Sequence, residues 1–191
     1  MRRTAAAMTA LVLAGAGLGA VTAAAGTATA ATARSAACPT GWGSGAKGGV
    51  ATGAVPLKDI RTGRHDCFDR MVFDVPGGGA LAYHVQYVDR LVQNATGRHI
   101  PVGGGAVLDI RVGAPAYDPE SGEPAYPGQA GRPLPGVDPG GYRAFRDTRF
   151  AGSFEGETQV GLGARARLPF RVTRPAGRLV IDVAHTWTGG R

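Results

Sequence analysis

The chain is a succession of short runs rich in Val, Ile, Phe and Tyr, and Gly or Pro separates each run from the next. Its 191 residues include 32 glycines and 13 prolines, and these two residue types interrupt helices and strands alike. In Leu81 to Val88, apolar Leu81, Tyr83, Val85 and Tyr87 alternate with other residues, as side chains do along a strand. The pattern predicts an all-β fold, a single antiparallel β-sandwich with a partly open barrel as the alternative. Strands are expected in 57–65, 67–75, 81–88, 107–112, 156–166, 168–172 and 179–187.

The same alternation identifies candidate core residues. Six of them share inward-facing positions of the expected strands: Phe73, Val75, Tyr83, Val85, Ile181 and Val183. Helical periodicity is nearly absent after the first 33 residues, and only 141–150 is expected to hold a short helical turn.

A long excursion, 113–147, does not fit the succession of strands. It holds seven of the 13 prolines, three tyrosines including Tyr117, and the carboxylates of Asp118, Glu120 and Glu123. Such a segment inside a compact domain is either a functional loop or a disordered insertion. Both alternatives stay open, and Tyr117 is included among the candidate ligand-binding residues.

The first 30 residues are predicted to be a signal peptide. Arg2 and Arg3 precede a stretch from Ala5 to Ala33 without any charge, and Ala28-Thr-Ala30 fits the small-x-small cleavage rule. A membrane anchor is disfavoured because the stretch consists mainly of Ala, Gly and Thr. Ser35-Ala-Ala-Cys38 resembles a lipidation site only loosely, since Ser occupies the position of the usual Leu. The expected location is therefore secreted or extracytoplasmic and associated with the cell envelope, with no membrane span left after cleavage.

Two cysteines, Cys38 and Cys67, follow the predicted signal peptide. An even number of cysteines in an exported protein predicts a disulfide, because the thiols are oxidised there. The bond would tie a Gly-rich N-terminal segment to a strand. The domain boundaries that follow are a signal peptide over 1–30, a tied flexible segment over 31–55 and a β domain over 56–188.

The charge is positive and carried almost entirely by arginine. The formal net charge is +7, and cleavage after residue 30 removes two arginines and leaves +5. No run of like charges resembles a nucleic-acid-binding arm. A mildly cationic exported protein favours acidic envelope polymers as partners, or its arginines reflect a biased composition.

Three segments resemble the AMIN-like domain family of secreted actinobacterial proteins and lipoproteins. They are Leu57 to Val75 with its sequence Arg64-His-Asp-Cys-Phe-Asp-Arg70, Gly152 to Val172, and the closing segment Leu179 to His185. The resemblance implies a β-sandwich that acts as a targeting module for the envelope and peptidoglycan, without catalysis. The expected function is thus a noncatalytic envelope domain that binds peptidoglycan or another anionic wall component. An enzyme with an unrecognised site near His65 and Asp66, or a protein–protein interaction module, is the alternative.

The candidate binding residues are Arg165, Arg167, Trp42 and Tyr117. Arg165 and Arg167 are expected to share one face of a strand, where they could meet an anionic polymer, or simply a solvated face. Trp42 is either an exposed platform for a glycan or a core residue packed over the disulfide. His65-Asp66 could orient an imidazole for acid–base chemistry, although local structural hydrogen bonds are the commoner role. No catalytic residue, metal site or cofactor is predicted.

Overall fold

The computed structural model describes Cys38, residues 41–53 and residues 55–187, so the predicted signal peptide lies outside the described residues. All regular secondary structure in these ranges is β strand, which confirms the predicted fold class. The described ranges contain eleven strands: β1 (Lys47–Gly49), β2 (Asp59–Arg64), β3 (Phe68–Asp74), β4 (Tyr83–Val88), β5 (Leu91–Val92), β6 (His99–Ile100), β7 (Ala106–Val112), β8 (Phe145–Phe154), β9 (Glu157–Ala164), β10 (Phe170–Thr173) and β11 (Arg178–Ala184).

The strands form two principal antiparallel sheets and one short hairpin. The five-stranded sheet has the order β1-β4-β7-β9-β8, the four-stranded sheet has the order β10-β11-β3-β2, and β5 pairs with β6. Residues of both principal sheets belong to one buried cluster, for example Phe73 and Ile181 of the smaller sheet with Val85 and Val160 of the larger. The two sheets therefore enclose a single core, as in a β-sandwich.

The predicted core residues are inside this cluster. Five of them have no solvent exposure: Phe73, Val75, Val85, Ile181 and Val183. Tyr83 is partly buried and packs against the same cluster. The alternation in the sequence thus correctly predicted which face of each of these strands is directed toward the core.

The prediction of a helical turn within 141–150 is wrong, because β8 occupies residues 145–154 and is the longest strand. Phe145, Thr148 and Phe150 point into the protein, but the strand has irregularities between Phe145 and Asp147 and between Phe150 and Gly152. An extra residue at a bulge reverses the order of inward and outward positions. The sequence of β8 consequently lacks the alternation of period two by which a strand is recognised.

The long excursion packs against the sandwich and covers the outer edge of β8. Tyr126 and Leu134 are buried in the main core. Gly131 donates a backbone hydrogen bond to the carbonyl of Phe150, whose own N–H donates to the carbonyl of Arg132. Pairing of this kind satisfies backbone groups that an edge strand would otherwise expose.

Candidate functional site

One end of the sandwich collects arginines from the loop before β8, the start of β8 and the loop after β9. β8 begins there beside the last residue of β9, in the pair Phe145–Ala164, and β3 begins there beside the last residue of β11, in the pair Phe68–Ala184. The side chain of Arg165 joins the two sheets by donating to the carbonyl of His185 over 2.6 Å. We call this region the basic end; it comprises Arg143, Arg146, Arg165, Arg167 and Trp187.

Two guanidinium groups of the basic end are held by backbone carbonyl groups. Arg146 donates to the carbonyls of Tyr142 and Phe145 over 2.9 and 2.7 Å, and Arg165 also donates to the carbonyl of Arg143 over 3.3 Å. In the described part of the chain, none of the four arginines forms a salt bridge with a carboxylate. Because carbonyl groups carry no net charge, these bonds position the guanidinium groups without pairing them with a carboxylate. Two exposed carboxylates, Asp66 and Asp89, lie at the same end, Asp89 in the pocket that Arg167 also lines.

Arg167 and Trp187 contribute an aromatic surface to the basic end. The Trp187 indole N–H donates to the carbonyl of Arg167 over 2.9 Å, while 59% of the residue's surface stays exposed. The Arg167 guanidinium carbon lies 5.3 Å from the centre of the Tyr87 ring, within cation–π distance. The Trp187 ring thus keeps its polar atom bonded and leaves apolar area open to a ligand.

The prediction that Arg165 and Arg167 share a strand face is wrong. β9 ends at Ala164, and residues 165–167 form a bend that leads to Leu168. At this end of the β7–β9 pair, the backbone N–H of Gly105 donates to the carbonyl of Ala164, directly before Arg165. Both arginines still belong to one surface, but the bend brings them there and the alternation of a strand does not.

A buried, hydrogen-bonded pair of an aspartate and a histidine lies beneath the basic end. One carboxylate oxygen of Asp69 is 3.0 Å from Nε2 of His185, and the other accepts the backbone N–H groups of Ala144 and Phe145. Nδ1 of His185 lies 3.2 Å from the carbonyl oxygen of Asp66. Both ring nitrogens therefore have a partner in the protein. This arrangement fixes the starts of β3 and β8 and the end of β11, and it leaves no imidazole nitrogen to a substrate.

His65 and Asp66 are neighbours in the sequence, but the Asp66 carboxylate does not orient the His65 imidazole. His65 is exposed, and its ring stacks on Phe68 with 4.5 Å between ring centres. Asp66 contributes its backbone carbonyl, to His185 and to Arg143. Within the described residues no hydrogen bond joins the two side chains, and these ranges contain no group of three or more acidic, His or Cys residues arranged to hold a metal ion.

Trp42 lies half-buried on the outer face of the four-stranded sheet. Its ring centre is 5.7 Å from that of Phe68, and the Arg171 guanidinium carbon is 4.4 Å from its ring. The predicted disulfide between Cys38 and Cys67 is present, so Phe68 directly follows the bridge. Trp42 therefore packs beside the disulfide and does not form an open platform.

Arginines on this outer face are paired, in contrast to those of the basic end. Asp182 accepts two bonds from Arg70, over 2.6 and 2.9 Å, and one from Arg171 over 2.8 Å. The bonds to Asp182 raise the pKa of Arg70. Arg61 and Arg178 pair with Asp74 in the same way, so each of the two groups keeps a single positive charge in excess.

Tyr117 is placed away from the predicted arginines. It belongs to the loop between β7 and β8, and its hydroxyl accepts the backbone N–H of Gly156 over 3.3 Å, at the turn between β8 and β9. Arg165 lies at the other end of the same hairpin. Of the four candidate binding residues, the structure brings only Arg165 and Arg167 together, and it adds Arg143, Arg146 and Trp187, which the sequence did not single out.

A family model of the AMIN-like domain matches residues 55–185. This span covers every strand of the two principal sheets except β1, and all of the basic end except Trp187. The chain therefore belongs to the AMIN-like domain family, and it is a domain related to the cell envelope. No curated protein and no solved structure matches the chain. Within the described part of the chain, no helix has the length and apolar character needed to cross a membrane.

Proposed function

We propose that this protein is a secreted, noncatalytic domain that binds peptidoglycan or another anionic wall component through its basic end. The observation that carries the proposal is the set of four exposed arginines that form no salt bridge in the described part of the chain. They lie beside an exposed tryptophan, Trp187. Retaining like charges together costs energy in the free protein, and an anionic ligand removes that cost.

The chemistry of the basic end suits such a ligand. A guanidinium group presents five N–H donors in a planar fork that matches carboxylate and phosphate groups. The carbonyl bonds of Arg146 and Arg165 occupy only some of these donors and hold the side chains in place, so less entropy is lost on binding. The exposed ring of Trp187 can pack against the apolar face of a sugar. Anionic groups and sugar rings occur together in wall polymers.

The compartment fits this assignment. A signal peptide is predicted over residues 1–30, and the Cys38–Cys67 disulfide requires an oxidising environment such as the outside of the cell. Family membership adds a relation to the envelope. Because the proposed contact is electrostatic, added salt should weaken it.

The test is sedimentation of the purified protein with isolated cell wall, using the double variant Arg143→Gln, Arg167→Gln. Both side chains are exposed. Arg143 makes one long hydrogen bond, 3.5 Å to the carbonyl of Asp66, and Arg167 contacts the domain through the Tyr87 ring, so the fold should be retained. An arginine beside an anionic surface contributes about 1 kcal/mol, and the loss of two should weaken binding roughly 30-fold.

The control is Lys58→Gln, Arg98→Gln, which removes the same charge from exposed positions outside the basic end. It should bind within about twofold of the parent, since a general effect of net charge is small at physiological salt. Equal losses in both variants, or none in either, would refute binding through the basic end. Release of soluble wall fragments by the parent but not by His65→Ala would show an enzyme instead.

A further inference from the structure

We propose that the end of the sandwich opposite the basic end is an interaction surface for a second copy of this chain, and that copies associate head to tail. The surface, here called the acidic end, comprises Asp118, Glu120, Glu123, Phe154, Glu155 and Glu157. It is built from the turn between β8 and β9 and from the tight loop 117–124. This inference goes beyond wall binding and does not depend on it.

Hydrogen bonds hold the two parts of the acidic end against each other. Ser153 accepts the backbone N–H of Ala116 and donates to the carbonyl of Glu157, both over 2.9 Å. Tyr117 accepts the backbone N–H of Gly156. Glu155 and Gly156 form the turn with positive φ angles of 49° and 79°. The loop and the hairpin thus form one continuous surface.

The acidic loop is also fixed internally. The Asp118 carboxylate accepts the backbone N–H groups of Glu120 and Ser121, each over 2.9 Å, and these bonds lower its pKa. The backbone N–H of Asp118 donates to the carbonyl of Glu123 over 2.8 Å. The carboxylates of Glu120 and Glu123 therefore project from a preorganised loop.

The negative charge of the acidic end is not neutralised within the described part of the chain. None of its five carboxylates forms a salt bridge there. Among them lies Phe154, a large apolar side chain that is 51% exposed. Like charges gathered around an exposed aromatic ring are unfavourable in the free molecule and favourable against a cationic surface that also offers an apolar group.

The basic end of another copy has these complementary properties. Within the described residues it presents four arginines without a salt bridge and the exposed Trp187, and arginine forks bind carboxylates in bidentate fashion. The two ends lie at opposite ends of the β8–β9 hairpin, about 33 Å apart for a strand of this length. They cannot meet within one molecule. Two different surfaces on one chain give a heterologous contact, which produces a closed ring or an open row of copies.

The experiment is analytical ultracentrifugation of the purified protein at low ionic strength over a wide range of concentrations. The sedimentation coefficient of the parent should rise with concentration, and should return to that of a monomer at about 1 M salt, where screening acts within about 3 Å. Two charge-reversal variants should each stay monomeric: Glu155→Lys, Glu157→Lys at the acidic end, and Arg143→Glu, Arg167→Glu at the basic end.

An equimolar mixture of the two reversal variants should associate again. The acidic-end variant keeps the native basic end, which can bind the native acidic end of the basic-end variant. The control Lys58→Glu, Arg98→Glu has the charge change of the basic-end variant and should associate like the parent. A parent that stays monomeric at every concentration, or a mixture that stays monomeric, would overturn the proposal. Wall binding is tested separately: Glu155→Lys, Glu157→Lys should still sediment with the wall, so failure of one proposal is distinguishable from failure of the other.

Discussion

Tyr87 shows how one side chain positions the basic end. Its hydroxyl donates to the carbonyl of Leu168 over 2.8 Å and accepts the N–H of the same residue over 3.0 Å. Its ring carries the guanidinium of Arg167 on one side and the edge of Phe170 on another. Burial raises the pKa of Tyr87 to about 12. The phenol therefore keeps its proton in the folded protein over a range in which the unfolded chain loses it.

We expect Tyr87→Phe to change the pH dependence of stability as well as its magnitude. In the parent, the free energy of unfolding should fall between about pH 10 and 12, because in this window the unfolded state binds fewer protons than the folded state. The variant lacks this contribution, so its free energy of unfolding should fall less steeply as the pH rises through this window. At neutral pH it should be less stable by about 1–3 kcal/mol, since both backbone groups of Leu168 lose their partner.

Urea unfolding of both proteins at neutral pH and at several alkaline pH values measures the effect. Burial also raises the pKa of Tyr126, but this tyrosine is present in both proteins and cancels in the difference. If the free energies of unfolding of the two proteins changed equally with pH, the Tyr87 hydroxyl would not have the raised pKa and the hydrogen bonds described above.

At the scale of residues, the sequence also pointed to His65 as the histidine that pairs with an aspartate, whereas His185 does so. His65 and Asp66 are adjacent in the chain, and adjacency is all that a single sequence displays. The pair that forms, Asp69 and His185, is separated by 116 residues and depends on β3 lying next to β11. Strand pairing of this kind is not encoded in local spacing, so such a pair could be found only after the sheet order was known.

At the scale of elements, the predictable strands are those with regular alternation, and β8 is the informative exception. Its two irregularities hide the pattern of period two, and the short β1, β5 and β6 have too few residues to show one. This omission also hid the basic end. Had β8 been recognised, its hairpin with β9 would have placed Arg143 near Arg165, because the pair Phe145–Ala164 closes the hairpin.

The disulfide is the covalent element of the fold, and its removal should weaken the domain. In the chain-entropy model, a closed loop of this length contributes about 3.6 kcal/mol. Cys38→Ser, Cys67→Ser should therefore lower the free energy of unfolding by about 2–4 kcal/mol. The packing of Trp42 on Phe68 and Arg171 should loosen with it, since the segment before β1 loses its attachment.

Chemical unfolding of the double variant measures the loss of stability, and tryptophan fluorescence in a Trp187→Phe background reports on Trp42. Alkylation of the unreduced parent should label neither cysteine. Modification of both thiols in the native protein would contradict the bridge.

At the scale of the whole molecule, the charges of the described residues are segregated along the β8–β9 hairpin. Among these residues, four arginines without a salt bridge lie at one end of this hairpin and five carboxylates without one lie at the other. Arg61, Arg70, Arg171 and Arg178 of the four-stranded sheet are instead paired with Asp74 and Asp182. Net charge and composition could be read from the sequence. The segregation could not, because Tyr117 to Glu123 and Phe154 to Glu157 meet only in the folded chain.

The predicted signal peptide gives the prediction that belongs to this scale. Cleavage between Ala28 and Ala37 is expected from the small residues that follow the uncharged stretch. Cys38 should carry no lipid, since its sulfur is bonded to Cys67 and is not available for a thioether. The intact mass of the exported protein checks both statements, and a diacylglycerol adduct beginning at Cys38 would contradict them.

The bond between Cys38 and Cys67 also decides how the domain would respond to a mechanical load. It attaches the N-terminal segment at the start of β3, and the Cys67 carbonyl accepts the backbone N–H of His185, directly after β11. A force applied between Cys38 and Trp187 would therefore act on adjacent ends of two antiparallel neighbours. Such strands peel apart one residue pair at a time and do not slide past each other under a shared load. With the bridge intact, the domain would yield to tension gradually from the end that is proposed to hold the wall.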